Sequence, residues 1–211
     1  MILVSSVITA VPERRETAER LHRELDHAPI FWDHDHVGAV YGIVGALWTA
    51  LTVEPDATHI LVVEDDAVLC RNFMEIVKQR IEERPQAAIS YCWLGKYEPM
   101  PAERWVERKV WWGTQAYSLP VDLAVNVLDW LTEPDRREWV ISRAHAHPGQ
   151  EDQWARAGDA WLRFCLEEMG CPMSHTVPSY VQHGAPDTTT VGSRINDQTI
   201  AIRRSPWYVD E

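Results

Sequence analysis

Residues 60–66 read ILVVEDD, so four aliphatic side chains run directly into the carboxylates of Glu64, Asp65 and Asp66. A continuous aliphatic run is typical of a parallel strand that is covered on both faces of its sheet. Ligands of open α/β sheets bind at the carboxyl ends of such strands. Adjacent carboxylates repel one another unless a cation or ordered donors neutralise them. The stretch predicts a buried strand ending at a metal and phosphate site, and a solvated acidic turn is the alternative interpretation.

The sequence around this strand alternates between strand-like and helix-like segments. Over the first 93 residues the predicted strands are residues 2–10, 29–32, 60–63 and 87–93, and the predicted helices are residues 12–25, 40–51 and 73–81. Such alternation indicates an α/β fold with a Rossmann-like, mostly parallel central sheet. The pattern is looser afterwards, with helices predicted at 121–131 and 157–169, a strand at 174–177, and no element in the polar segment 133–150.

We therefore predict a single α/β domain over residues 1–211. Its first half, residues 1–94, would bind a nucleotide, and its looser second half, residues 95–211, would hold the acceptor and catalytic groups. A chain of this length is sufficient for one substantial core.

Composition excludes some classes of function. The chain has a net charge of −12 and no basic block, which argues against a nucleic-acid surface built on phosphate contacts. The N-terminus lacks the basic start of a signal peptide, and no apolar stretch approaches the roughly 20 residues of a membrane span. The four cysteines form no C-x-x-C pair. We expect a cytoplasmic protein with no membrane anchor and no structural zinc site.

The acidic strand end is similar to two known families. Residues 60–69 resemble the opening of a response-regulator receiver domain, in which clustered acids hold magnesium beside a phosphorylated aspartate. A receiver begins at that strand, whereas residues 1–59 precede it here. Residues 105–115 also lack the strand-ending aspartate that a receiver needs. This alternative implies a phosphoacceptor regulatory domain.

The second resemblance covers most of the chain. The order of elements resembles that of GT-A glycosyltransferases, whose D-x-D motif takes the Glu-Asp-Asp form in some N-acetylglucosaminyltransferases. Residues 112–120, WGTQAYSLP, resemble the G-x-x-A-Y segment of lipooligosaccharide-type transferases. Residues 158–162, GDAWL, resemble the start of the helix that carries the catalytic acid. Residues 178–184, PSYVQHG, resemble the P-S-L-V-Q-H-x-G element near the end of these domains.

The resemblance implies a metal-dependent hexosyl- or N-acetylhexosaminyltransferase that uses a nucleotide sugar, with UDP as the expected nucleotide. Carboxylates suit hard cations such as Mn²⁺ or Mg²⁺. Asp66 and His183 are the implied metal ligands. Asp159 is the implied general base of an inverting reaction, although aspartate is also an ordinary residue of a first helical turn. Asp152 is the rival base, and retention remains open.

The donor site implied by the resemblance is larger than the acidic triplet. Asp33, at the end of the second strand, would accept a bond from a uracil N–H, with Asp35 as the alternative. Arg14 or Arg15 would face the diphosphate. The full set of implied donor contacts is Thr9, Arg14, Asp33, Glu64, Asp65, Gly113 and Thr114. The expected acceptor is a hydroxyl of a protein or small glycan, since neither a lipid anchor nor a nucleic-acid surface is predicted. A degenerate GT-A module that binds without turnover is a third alternative.

Overall fold

The computed structural model describes residues 1–92, 105–107, 114–143, 157–176 and 178–184. The strands are β1 (Val4–Ala10), β2 (Ile30–Trp32), β3 (His59–Glu64), β4 (Ala67–Leu69), β5 (Ala88–Ser90), β6 (Trp105–Glu107), β7 (Ala116–Pro120), β8 (Met173–Thr176) and β9 (Val181–His183). The helices are α1 (Arg15–Glu24), α2 (Ala39–Val53), α3 (Phe73–Glu83), α4 (Val121–Thr132), α5 (Arg136–Arg143) and α6 (Gly158–Glu168), and a 3₁₀ turn (Pro12–Arg14) precedes α1.

Seven of these strands form one sheet in the order β2–β1–β3–β7–β5–β8–β6. Strands β1, β2, β3, β5 and β8 run in one direction, and β7 and β6 run antiparallel to their neighbours. The remaining two strands, β4 and β9, form a small antiparallel sheet directly after the acidic triplet. The predicted fold class, an α/β domain with a mostly parallel central sheet, is confirmed.

The aliphatic run of β3 is explained by cover on both faces of the sheet. Ile60 and Val62 belong to one core cluster, which α2, α4 and α6 complete. Leu61 and Val63 belong to a second cluster, which α1 and α3 complete. All four side chains are at most 1% exposed. Burying a side chain of this kind contributes about 1.5–3 kcal/mol, so the run fixes β3 at the centre of the fold.

Several short elements differ from the sequence-based expectation. The segment 133–150, to which no element was assigned from the sequence, contains α5. The reason is tertiary packing: the Trp139 ring meets the Trp130 ring at 5.5 Å, and the Arg136 guanidinium lies 4.5 Å from the Trp130 ring centroid. Strands β4, β6, β7 and β9 were not predicted, and the strand expected at 87–93 is confined to β5. Within the described part of the chain, no helix is long and apolar enough to cross a bilayer.

Candidate functional site

The acidic triplet lies where β3 leaves the central sheet. Glu64 is the last residue of β3, and Asp65 and Asp66 form the turn into β4. Asp65 is 3% exposed and Asp66 is 8% exposed, so both carboxylates are buried and the solvated-turn interpretation is wrong. Buried carboxylates need compensating donors or cations. The neighbouring segments of the chain supply some of these, as follows.

Asp65 is held by the connection between β1 and α1. Its backbone N–H donates to the Thr9 carbonyl at 3.0 Å. Its Oδ2 accepts from the Val11 N–H at 2.9 Å, and its Oδ1 lies 2.7 Å from Arg14 Nη1. Burial raises the pKa of Asp65 to about 6, against the opposing effect of the Arg14 charge. Asp65 therefore joins the end of β3 to the loop that follows β1.

Glu64 faces the segment that leads into β7. The Thr114 hydroxyl donates to Glu64 Oε1, and the Glu64 backbone N–H donates to the Gln115 carbonyl at 2.9 Å. Burial raises the pKa of Glu64 to about 8, and the negative charges of Asp66, Asp65 and Asp159 raise it further. These surroundings therefore favour the protonated form of Glu64. A cation entering the cluster would favour the ionised form.

The segment 178–184 is brought against the triplet by the small sheet. His183 is the register partner of Ala67, the residue that follows Asp66. The Gly184 N–H donates to the Asp66 carbonyl at 2.6 Å. The two predicted metal ligands, Asp66 and His183, thus come from adjacent strand ends. The side chain of His183 lies outside the described part of the structure, so its role as a ligand stays a prediction.

The approach of Gly184 to Asp66 depends on the absence of a side chain. A Cβ at position 184 would lie 2.5 Å from the Asp66 carbonyl oxygen, well inside van der Waals contact. We expect Gly184→Ala to separate the two strands and to lower the free energy of unfolding by about 1–3 kcal/mol, the usual cost of overpacking. Urea denaturation of the variant checks this.

Gly158→Ala is the matched control for Gly184→Ala. A Cβ at position 158 would meet side-chain atoms of Ala39 and Ile43 at 3.0 Å, and the Ile43 side chain can adjust. The decrease in the free energy of unfolding should be smaller for Gly158→Ala than for Gly184→Ala, because alanine also favours the helix. Equal losses in the two variants would contradict a specific role for the close approach at Asp66.

A second anchor for this segment lies at Tyr180. Arg80 Nη2 donates to the Tyr180 hydroxyl at 3.0 Å, and the Arg80 guanidinium lies 5.6 Å from the centre of that ring. The Tyr180 N–H donates to the Tyr91 carbonyl, and the Tyr180 carbonyl accepts from the Cys70 N–H. The segment is therefore fixed to the sheet and α3 before it reaches Asp66. The sequence motif contained Tyr180, but nothing in it indicated the partner Arg80.

Asp159 lies in the first turn of α6, as predicted. Its Oδ1 accepts from the Ala160 N–H at 2.9 Å, and the side chain is half-buried. Its charge acts on Glu64, so the two acids lie within electrostatic range of each other. The preceding Gly158 packs against α2, which places the start of α6 beside the sheet. The rival base Asp152, and Gly113 of the predicted donor site, lie outside the described residues.

Asp33 and Thr9 lie at the carboxyl ends of β2 and β1. Glu64 lies at the carboxyl end of β3, so all three residues are at the same end of the parallel strands. The Asp33 side chain is already engaged, because its Oδ1 and Oδ2 accept from the N–H groups of Val37 and Gly38, each at 2.9 Å. The Thr9 hydroxyl packs beneath α2, where a Cβ on Gly42 would come within 2.6 Å of it. Both residues therefore have a structural function here, and their predicted contacts with a nucleotide stay predictions.

The donor set fits a hard divalent cation by its chemistry, since it is made of buried carboxylates. Among the side chains that the structure describes, no three His, Cys, Asp or Glu groups converge on one point. The guanidinium of Arg14 contacts Asp66 as well as Asp65, at 3.2 Å. A metal at this position would require Asp66 together with a group beyond the described side chains, for which His183 is the sequence-predicted choice.

No sequence motif indicated the contacts of Val11, Gln115 and Arg80 at this site. Val11 and Gln115 act through backbone atoms, which no sequence motif marks. Arg14 was predicted as a donor-site residue, but its contacts with both aspartates depend on how the loop after β1 folds over the end of β3.

No protein-family model and no curated protein sequence matches this chain. Among solved structures, the protein A197 from STIV is similar over 91% of this chain and 94% of that chain, with a TM-score of 0.50 and 11% identity. A glycosyltransferase involved in the glycosylation of the major capsid of PBCV-1 aligns with 69% of this chain and 80% of that chain, with a TM-score of 0.39 and 9% identity. At these identities the likeness to A197 concerns the fold, and neither comparison assigns a function.

Proposed function

We propose that this chain is a metal-dependent glycosyltransferase that moves a sugar from a nucleoside-diphosphate sugar, with UDP as the expected nucleotide, to a hydroxyl acceptor. One observation carries the proposal. Four sequence segments that resemble GT-A elements are far apart in the chain, and three of them act on the fourth, which is the end of β3. They are residues 64–66, the described part of 112–120, residues 158–162 and residues 178–184.

Two of these segments bond to the triplet, and the third acts on it through its charge. Thr114 and Gln115 bond to Glu64, and Gly184 bonds to the Asp66 carbonyl. Asp159 interacts with Glu64 through its charge. An acidic turn with no function would not need two motif segments bonded to it and the charge of a third acting on it. The convergence therefore supports a site that uses all of them.

Asp66 and His183 would hold a Mn²⁺ or Mg²⁺ ion in this proposal. When bound, such an ion supplies positive charge to offset the negative charge that develops on the leaving diphosphate. Buried carboxylates that repel each other also favour a cation at this position. The nucleotide would lie across the carboxyl ends of β2, β1 and β3, next to the triplet, where open α/β sheets bind their ligands.

Asp159 would act as the general base in an inverting reaction. The acceptor oxygen attacks the anomeric carbon while its proton passes to the Asp159 carboxylate and the bond from that carbon to the diphosphate oxygen breaks. Asp159 is half-buried, its carboxylate accepts the Ala160 N–H, and its charge acts on Glu64. We further propose that the transferred group is a hexosyl or N-acetylhexosaminyl group and that the acceptor is a protein or small glycan.

The decisive experiment is a thermal-shift titration of nucleoside diphosphates with and without Mn²⁺. At 100 times its dissociation constant, a ligand that binds only the folded state adds about 2.7 kcal/mol. For a domain of this size that corresponds to a rise in Tm of roughly 5–10 °C. We expect this rise with UDP and Mn²⁺ together, a smaller rise with Mn²⁺ alone, and little with UDP alone. No metal-dependent shift with any nucleoside diphosphate would contradict the proposal.

A labelled sugar nucleotide tests turnover and the class of acceptor in the same preparation. After incubation with cell lysate, label should enter the protein or small-glycan fraction. Label in lipid or nucleic acid would contradict the proposed acceptor. Metal-dependent nucleotide binding without any transfer would indicate a module that binds without catalysis.

A further inference from the structure

Arg14 makes a bridging contact inside the acidic site. Its Nη1 lies 2.7 Å from Asp65 Oδ1 and 3.2 Å from Asp66 Oδ2. The side chains of these three residues are 9%, 4% and 7% exposed, so the ion pairs are largely shielded from water. Salt bridges at such positions act through a lower effective dielectric than surface pairs do.

The backbone around Arg14 keeps the guanidinium in this position. The Arg14 N–H donates to the Val11 carbonyl at 3.0 Å, and the Arg14 carbonyl accepts from the Thr17 hydroxyl at 2.8 Å. The Val11 N–H in turn bonds to Asp65. The turn that carries Arg14 is thus fixed to Asp65, so the ion pair between Arg14 and Asp65 is part of the local fold.

The two contacts of Arg14 are unequal. Asp65 receives the shorter contact and also accepts the Val11 N–H, so this carboxylate is held by the loop after β1. Asp66 receives the longer contact at 3.2 Å. A single guanidinium also cannot neutralise all of the acids in the cluster. Another cation can therefore replace Arg14 at Asp66 with a smaller loss of free energy than at Asp65.

We propose that Arg14 is a positioning residue that serves as the internal cation of the acidic site. Without a divalent metal it holds Asp65 and Asp66 together, and when a metal binds it keeps its contact with Asp65 and releases Asp66. This inference rests on the proposed metal-dependent function. It implies that metal binding competes with an ion pair already present in the folded chain.

The test compares Arg14→Gln with Arg23→Gln, an exposed α1 residue that loses the same charge. Without metal, Arg14→Gln should lower Tm by about 5–10 °C, because breaking a buried ion pair leaves uncompensated charge. Isothermal titration with Mn²⁺ alone should give about tenfold tighter binding than wild type, since the competing cation is gone. Arg23→Gln should change neither quantity appreciably, and Arg14→Lys should give intermediate values.

Each outcome separates the two proposals. If wild type binds Mn²⁺ and Arg14→Gln binds it no more tightly, the inference about Arg14 fails and the proposed function stands. If no variant and no wild-type sample binds Mn²⁺ or Mg²⁺, the metal-dependent function itself fails. If Arg14→Gln does not fold, the charge-balanced double variant with Asp65→Asn should fold. A double variant no more stable than Arg14→Gln would overturn the positioning role.

Discussion

Asp66→Ala should abolish metal-dependent nucleotide binding and sugar transfer together. Asp66 is buried at the end of β3, and its backbone carbonyl is joined to Gly184, next to His183. Removing its carboxylate takes away the proposed ligand without disturbing the backbone bond. We expect the Mn²⁺-dependent thermal shift with UDP to disappear and transfer to fall below detection. Thermal shift and a labelled-donor assay on one preparation check both effects.

The control for Asp66→Ala is Asp56→Ala. Asp56 is exposed in the turn before β3, at the opposite end of that strand. Asp56→Ala removes the same charge as Asp66→Ala, so it distinguishes the loss of the proposed metal ligand from a change in net charge. Normal metal-dependent nucleotide binding by Asp66→Ala would show that the metal ligand lies elsewhere.

Asp159→Asn should separate catalysis from binding. Asparagine keeps the size of the side chain and can still accept the bond from the Ala160 N–H, but it cannot take up a proton. We expect nucleotide binding close to wild type and transfer lowered by roughly 10²–10⁴-fold, the usual contribution of a positioned base. Steady-state transfer rates, measured beside the thermal shift, provide the comparison.

Asp122→Asn is the matched control, because Asp122 is the second residue of α4 as Asp159 is of α6. Its helix begins at the far edge of the sheet, where the Val121 N–H bonds to the Thr58 carbonyl.

Asp152→Asn tests the rival base. Wild-type transfer by Asp159→Asn together with an inactive Asp152→Asn would reassign the role to Asp152.

The central part of the fold could be predicted because its pattern is local. The run from Ile60 to Val63 is apolar on both faces. Helix α2 has a long apolar stretch, and α1 and α3 have apolar residues at helical spacing, so the bounds of these helices were correct to within a few residues. The carboxyl-end rule for α/β sheets then placed the acidic triplet at one edge together with Thr9 and Asp33. None of this required knowledge of distant contacts.

The elements that were missed depend on distant contacts. Strands β4 and β9 are three residues each, and they exist because they pair with one another across more than a hundred positions. Strand β7 is fully buried but joins α4 without a turn, so its five residues carry no boundary signal. Short apolar runs of this kind are ambiguous from periodicity alone.

The roles of the site residues were only partly accessible from the sequence. The motif order grouped Asp66, Asp159 and His183; the structure pairs the strand containing His183 with the strand after Asp66, and the charge of Asp159 acts on Glu64. The bond of Asp65 to Val11 and the attachment of Asp33 to Val37 and Gly38 involve backbone donors. Such contacts follow from the path of each loop, which no residue type specifies.

The position of β7 has a consequence for the order in which the chain can fold. Strands β3 and β5 are not neighbours, because β7 lies antiparallel between them. Within the first 92 residues only β2, β1 and β3 can pair in the central sheet, which leaves an open edge at β3 and a β5 without its partners β7 and β8. Open edges favour unwanted pairing until they are covered. Because β9 must also be synthesised before it can close onto β4, the acidic site is completed late, after nearly all of the described chain has been made.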